Sequence, residues 1–244
     1  MPRRPRLELP GVPMHLTHRG VNRAAVFHDA DDREAYRAVL QECCASHGLA
    51  VHAYVLMTNH VHLLVSAQLV GSLSRAMSKL GQRYVPAFNR KHRRTGTLWE
   101  GRFKSCLVDS DHYLLTVYRY IELNPVRAAM VDVPEAYPWS SVHANLGLAK
   151  DGLVTPHAVF RDLAADAPSR CQVYRDWLRG GLSDLDLDAV RAHLRQERAL
   201  GSPQFQSMVA KTLKRPVECR PRGRPVAPRD ADAEIKRVSL WPLF

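Results

Sequence analysis

Acidic residues are scarce in this chain of 244 residues: 24 Asp and Glu stand against 35 Lys and Arg, leaving a formal charge of +11. So few carboxylates argue against cationic partners and favour polyanions, of which nucleic acid is the commonest for a basic protein. Long apolar runs are also missing. None approaches the roughly 20 residues that span a bilayer, and the arginines of residues 1–10 are followed by no apolar signal core. A cytoplasmic protein without membrane contact is the expectation. Cysteines number five, an odd count, with no pair at the two-residue gap of a zinc knuckle. Cys43, Cys44, Cys106, Cys171 and Cys219 therefore read as reduced thiols, some of them small core residues, which argues against a disulfide framework and structural zinc. There is no internal repeat, and no small-molecule cofactor is expected. What is present, 45% hydrophobic residues over this length, suffices for one well-buried domain and a smaller appendage.

Local patterning supplies the elements. Residues 11–20 alternate Val12, Met14 and Leu16 with Pro13, His15 and Thr17, the period of a half-buried strand. Asp29–Asp32 offers an N-cap and first-turn acids to a helix whose apolar residues, among them Tyr36, Leu40 and Cys43, recur at helical spacing until His47 and Gly48 close it. Residues 49–57 and 60–65 are rich in β-branched and aromatic types and read as a hairpin turned by Thr58 and Asn59. A second helix spans 71–89, with Leu73, Met77, Leu80 and Tyr84 on one stripe and Pro86 expected to bend or end it. A basic loop at 90–96 leads to a fourth strand over 96–108, bulged at Gly101. Asp109–Asp111 should cap a third helix over 112–124, which Pro125 terminates. This order predicts an α+β fold, the ferredoxin-like split βαβ sheet with added helices.

After about residue 150 the character changes. Helices are expected over 158–178, 187–200 and 203–213. Beyond Arg215 the chain is rich in proline and arginine and too poor in apolar residues to fold alone. The expected division is a first domain at 1–147, a helical C-terminal extension at 148–215, and a flexible basic tail at 216–244 that orders on a partner.

The chemistry-bearing residues lie in the first domain. His60-Val61-His62 opens a strand, so both imidazoles face one side, spaced to share one metal ion. With 12 histidines in the chain, such a pair is weak evidence without a third ligand. Asn124 can supply it, four residues after Tyr120 and on the same helix face. Two imidazoles and an amide oxygen form an incomplete shell that suits Mg²⁺ or Mn²⁺, whereas structural zinc would take four protein ligands. Tyr120 is the favoured nucleophile, although Tyr113, Tyr118 and Tyr84 remain candidates, each with core packing as its ordinary role. A phenol of pKa about 10 attacks poorly until a cation or a base offsets its charge.

Four stretches carry a resemblance: Met57 through Leu64, Leu98 through Ser105, Tyr118 through Ala128, and Trp139-Ser140-Ser141. In this order, over residues 7 to about 147, they resemble the single-tyrosine HUH transposases, and within them the REP-associated tyrosine transposases. Thr58 stands where proline is usual, Glu100 where glutamine is common and Ala129 where glycine is frequent; none is a catalytic position. The resemblance implies that His60, His62 and Asn124 hold a divalent metal, and that Tyr120 attacks single-stranded DNA to leave a 5′-phosphotyrosine and a free 3′-OH. It also implies binding to hairpins of repeated extragenic palindromes, with a monomer slightly favoured over a homodimer.

Basic residues around such a site read as phosphate contacts, each releasing counterions on binding. They are Arg90, Lys91, Arg93, Arg94, Arg102 and Lys104 on one side, and Arg3, Arg4, Arg6, His18, Arg19 and Arg23 on the other. Arg222 and Arg224, in Pro221-Arg222-Gly223-Arg224-Pro225, resemble the core of an AT-hook, with a nonspecific basic tail as the plainer alternative. The reading is a metal-dependent single-strand endonuclease and strand transferase. The alternatives are a non-catalytic hairpin-DNA-binding regulator and a metal-dependent phosphodiesterase that uses water.

Overall fold

Alternation of side chains along two strands sets the two faces of the molecule. The structure, a computed structural model, describes residues 5–220. Its sheet has five strands: β1 (Met14–Arg19), β2 (Leu49–Met57), β3 (His60–Ala67), β4 (Lys104–Val108) and β5 (Ala199–Leu200). The order is β2-β3-β1-β4-β5. β3 lies antiparallel to both β1 and β2, so these two run parallel with a strand between them, the split βαβ arrangement expected from the sequence. Met14 and Leu16 of β1, with Val61, Leu63 and Val65 of β3, face one core. There they meet Tyr36 and Leu40 of α1 (Ala30–Ser46) and Leu73, Leu80, Tyr84 and Phe88 of α2 (Ser72–Lys91).

The opposite face holds the second core. Leu64, Cys106 and Val108 pack there against Val117 and Ile121 of α3 (Leu114–Glu122). Short helices follow, α4 (Asn124–Arg127), α5 (Val142–Asn145) and α6 (Ala158–Arg161), then α7 (Ala167–Arg179), α8 (Asp184–Gln196) and α9 (Pro203–Leu213). Tyr174 of α7 and Val190 and Leu194 of α8 complete this core. Each buried apolar side chain of this size stabilises the fold by roughly 1.5–3 kcal/mol.

Several boundaries differ from expectation, each for a local reason. α2 passes through Pro86 to Lys91. Pro86 and Gln82, whose carbonyl the proline leaves unpaired, are both exposed to solvent, while Leu80, Tyr84 and Phe88 anchor the helix on its buried side. β4 begins only at Lys104. Residues 97–103 run beside the end of β1 without forming a strand, through a bridge from Gly20 to Trp99 and the Glu100 amide donating to the Arg19 carbonyl at 2.9 Å. The third helix is two: α3 stops at Glu122, and Pro125 occupies the first turn of α4 instead of ending a helix. Asp109 does not cap α3; its Oδ2 accepts hydrogen bonds from the Ser202 amide and hydroxyl.

The segment expected as one helix over 158–178 is broken at Asp166. That side chain caps α7 by accepting from the Ser169 amide, and a proline follows in the first turn. The helix expected over 187–200 runs from Asp184 to Gln196 and is stopped by Glu197 in the left-handed conformation, φ +53°. The residues after it form β5, parallel to β4. The C-terminal extension therefore contributes a strand as well as helices. α9 occupies the expected 203–213.

Candidate active site

The two-residue turn at Thr58 and Asn59 pairs Met57 with His60, so His60 starts β3 at the edge of the hairpin. In the adjoining register Arg19 stands opposite His60 and Thr17 opposite His62. Both imidazoles project to the α3 side, the face shared by His15 and Thr17 of β1. The Tyr120 ring packs edge-on to His62 and His15, with centroid separations of 5.6 and 5.5 Å, and the two histidine rings are 5.0 Å apart. Tyr120 is 7% exposed and His62 4%.

The hydrogen-bond pattern leaves matching nitrogens available. His60 Nδ1 lies 2.7 Å from Asn59 Oδ1, which can only accept, so this nitrogen carries the proton and Nε2 keeps a lone pair. His62 Nδ1 lies 2.9 Å from His15 Nε2, leaving His62 Nε2 without a partner among the described residues. Burial lowers His60 to about 4 and His15 to about 3, and pushes His62 well below its ordinary value, with His15, His60 and Arg127 adding to the shift. All three are neutral at pH 7, the form that ligates metal. The Asn124 amide also makes no hydrogen bond to the described residues and lines the same cavity. Two imidazole nitrogens and one amide oxygen, all unengaged, fit an octahedral divalent cation that keeps other positions for water or phosphate. A second cluster, Asp29, Asp32 and His92, brings ligand-type atoms within 4.8 Å of one another. It is already neutralised: Lys91 Nζ lies 2.7 Å from Asp29 and 3.0 Å from Asp32, and His92 Nε2 bonds Asp32.

The cavity measures about 700 Å³. Its floor is Thr17, Arg19, His60 and His62, one side is Arg102 and Lys104, and Tyr120, Asn124 and Arg127 stand over it. Arg127 Nη2 donates to the Tyr120 carbonyl at 2.7 Å, and its guanidinium carbon lies 4.5 Å from the Tyr120 ring centroid. Nη1 of the same group is buried with no partner among the described residues. The remaining wall comes from α8, through Arg191, Leu194 and Arg195.

Of the four phenols left open by the sequence, Tyr120 alone lines this cavity. Tyr84 donates its hydroxyl to the Val26 carbonyl, the Tyr118 hydroxyl accepts from the His157 amide, and Tyr113 packs on the second core. Among the candidate DNA-contacting residues, Arg19, Arg102 and Lys104 reach the cavity, whereas Arg93 and Arg94 follow the end of α2 and do not line it. Arg3, Arg4, Arg222 and Arg224 lie outside the described residues. Sequence reasoning missed His15, Arg127, Arg191 and Arg195. Signals existed: His15 shares the polar face of β1 with Thr17, Arg127 is two helical turns beyond Tyr120, and Arg191 and Arg195 are four apart on one helix face.

Residues 10–124 match the model of the IS200-like transposase family. The stretch takes in β1, both histidines, Tyr120 and Asn124, and over it the chain is similar to that family. The chain is also similar to REP-associated tyrosine transposases. A Haemophilus influenzae protein assigned as one is 25% identical over 123 residues, covering 46% of this chain and 69% of its own length. A solved REP-associated tyrosine transposase bound to a REP hairpin shares the fold, with a TM-score of 0.50 at 19% identity over 65% of this chain and 96% of that one. A protein assigned as a transposase from Deinococcus radiodurans R1 gives 0.36 at 22% identity over 49% and 95%. No helix among the described residues is long and apolar enough to cross a membrane.

Proposed function

We propose that the protein is a metal-dependent single-strand DNA endonuclease and strand transferase acting beside palindromic hairpins, with Tyr120 as nucleophile. The observation that carries this reading is the packing of the Tyr120 ring against His62, inside a cavity bordered by arginine and lysine. The Tyr120 oxygen would form a bond to the scissile phosphorus as the P–O3′ bond breaks. The phenol gives up its proton as it attacks, the leaving oxygen takes one up to become a free 3′-OH, and the 5′-phosphate stays on the tyrosine. Reversal with another 3′-OH joins strands.

His60, His62 and Asn124 would hold the divalent ion, Mg²⁺ or Mn²⁺. When bound, such an ion supplies Lewis-acid polarisation of the phosphate. Arg127 adds a fixed positive charge beside the phenol, offsetting the negative charge its oxygen carries while attacking or leaving. Arg19, Arg102 and Lys104 give the strand backbone its counter-charges. The proposed working unit is the domain at 1–147, with the extension at 148–215 packed on it and the tail at 216–244 as an additional DNA contact.

The test incubates the protein with Mg²⁺ or Mn²⁺ and single-stranded hairpin oligonucleotides drawn from DNA flanking its own gene, then runs a denaturing gel. A band of protein joined to DNA is expected, and Tyr120→Phe should abolish it while leaving binding intact. Cleavage without an adduct would show water as the nucleophile. Binding with no cleavage under either metal would point to a regulator.

A further inference from the structure

Arg191 and Arg195 of α8 line the cavity from a helix packed beside α3 on the same face of the sheet, although α8 lies wholly beyond the 10–124 stretch that matches the family. The placement is built into the fold. Val190 and Leu194, on the inward face of α8, are 0% and 5% exposed in the second core. Ser183 caps the helix start by accepting from the Asp186 amide, and Glu197 ends it in the left-handed conformation. β5 then fixes the far end by pairing with β4. The intervening arginines, four apart, are exposed. Among the described residues Arg191 has one ion pair, a 4.0 Å contact with Asp188, and Arg195 makes no salt bridge. Glu100 is the single carboxylate among the lining residues.

We infer that α8 is the second wall of the DNA channel: Arg191 and Arg195 bind consecutive phosphodiesters of the single strand and hold it alongside the sheet-borne site. This rests on the DNA-cutting role proposed above and extends it to a part of the chain outside the stretch that matches the family. Spacing of one helical turn gives the two guanidinium groups a common face along which a backbone can run. Contact to phosphate predicts affinity without base preference, so the effect should be the same for any sequence.

The test measures binding of a fluorescein-labelled, mixed-sequence single-stranded 20-mer by anisotropy, in EDTA so that no cutting intervenes, over a series of salt concentrations. Wild type is compared with Arg191→Ser/Arg195→Ser and with a charge-matched control, Arg179→Ser/Lys211→Ser, whose exposed residues lie off the cavity. Each lost phosphate contact should flatten the salt slope by about 0.7, so the α8 pair should lower it by about 1.4 and weaken binding on the order of tenfold at physiological salt. The control pair should leave the slope unchanged. Equal effects of both pairs, or none from the α8 pair, would overturn the second wall while leaving the cutting reaction in place. Failure of wild type to bind any single strand would instead remove the DNA-cutting role and the wall with it.

Discussion

The ring of His15 is fully buried on β1, and its Nε2 sits 2.9 Å from Nδ1 of His62. For His62 to offer a lone pair at Nε2, its Nδ1 must carry the proton and donate to His15, which then holds its own proton on Nδ1. That second nitrogen finds no partner among the described residues. A buried orphan donor costs stability, about 1–3 kcal/mol, and its retention is accounted for if it fixes the tautomer of a ligand. His15→Leu should therefore weaken Mn²⁺ binding by about 10- to 100-fold, as read by calorimetry on the metal alone, with or without DNA. His15→Gln, whose amide oxygen can accept from His62, should recover part of the loss. Equal Mn²⁺ affinity in all three proteins would mean that the pair merely packs. His15 was visible in the sequence as a polar residue on an alternating strand, but nothing local told which polar neighbour it would meet.

At the level of elements, helices end or continue according to what their prolines face. Pro125 falls at the start of α4, where its missing N–H would be unbonded anyway, and Leu123, with φ −85° and ψ 2°, makes the bend between α3 and α4. Pro86 sits deep in α2 but on its wet face, so its unpaired carbonyl partner can be hydrated. Pro86→Ala restores that hydrogen bond. It should stabilise the protein by about 2 kcal/mol, being ~3 kcal/mol of helix preference less up to ~1 kcal/mol of unfolded-chain entropy. Urea unfolding should show a higher midpoint at unchanged slope; an unchanged or lower midpoint would mean that the local backbone has adapted to the proline. The hairpin of β2 and β3 was legible because its signal is local: β-branched runs on either side of a two-residue turn. β5 was not, because two apolar residues after a helix look the same whether they extend it or join a sheet.

Across the whole molecule, Glu122 joins the site helix to the extension. It is completely buried, and its carboxylate accepts hydrogen bonds from Ser141 Oγ, Asn145 Nδ2 and the Tyr174 hydroxyl, the last from α7. Burial raises it to about 7 against the lowering effect of these three bonds. The folded state thus binds this proton more tightly than the unfolded chain. Its stabilisation is fully present below about pH 4.5 and is lost as pH rises through about 7. The stability difference between wild type and Glu122→Gln should decline by about 1.4 kcal/mol per pH unit inside that window, as measured by urea unfolding at successive pH values. Parallel pH profiles would show that Glu122 does not titrate there. Tyr174 also explains why α7 packs on α3: it is buried, it belongs to the second core, and it closes this network.

The sequence by itself determined the alternation that puts His60 and His62 on one side of a strand, the hairpin that sets them at its edge, the helix bearing Tyr120, and the basic surplus around them. These are periodic or adjacent features, written within a few residues of each other. Only the tertiary structure decided that His15 meets His62 across 47 residues, that Arg127 folds back over the Tyr120 ring, and that α8 lends two arginines to the cavity. Each of those depends on distant segments packing against a common sheet face, and side-chain periodicity along one segment carries no record of which other segment will cover it.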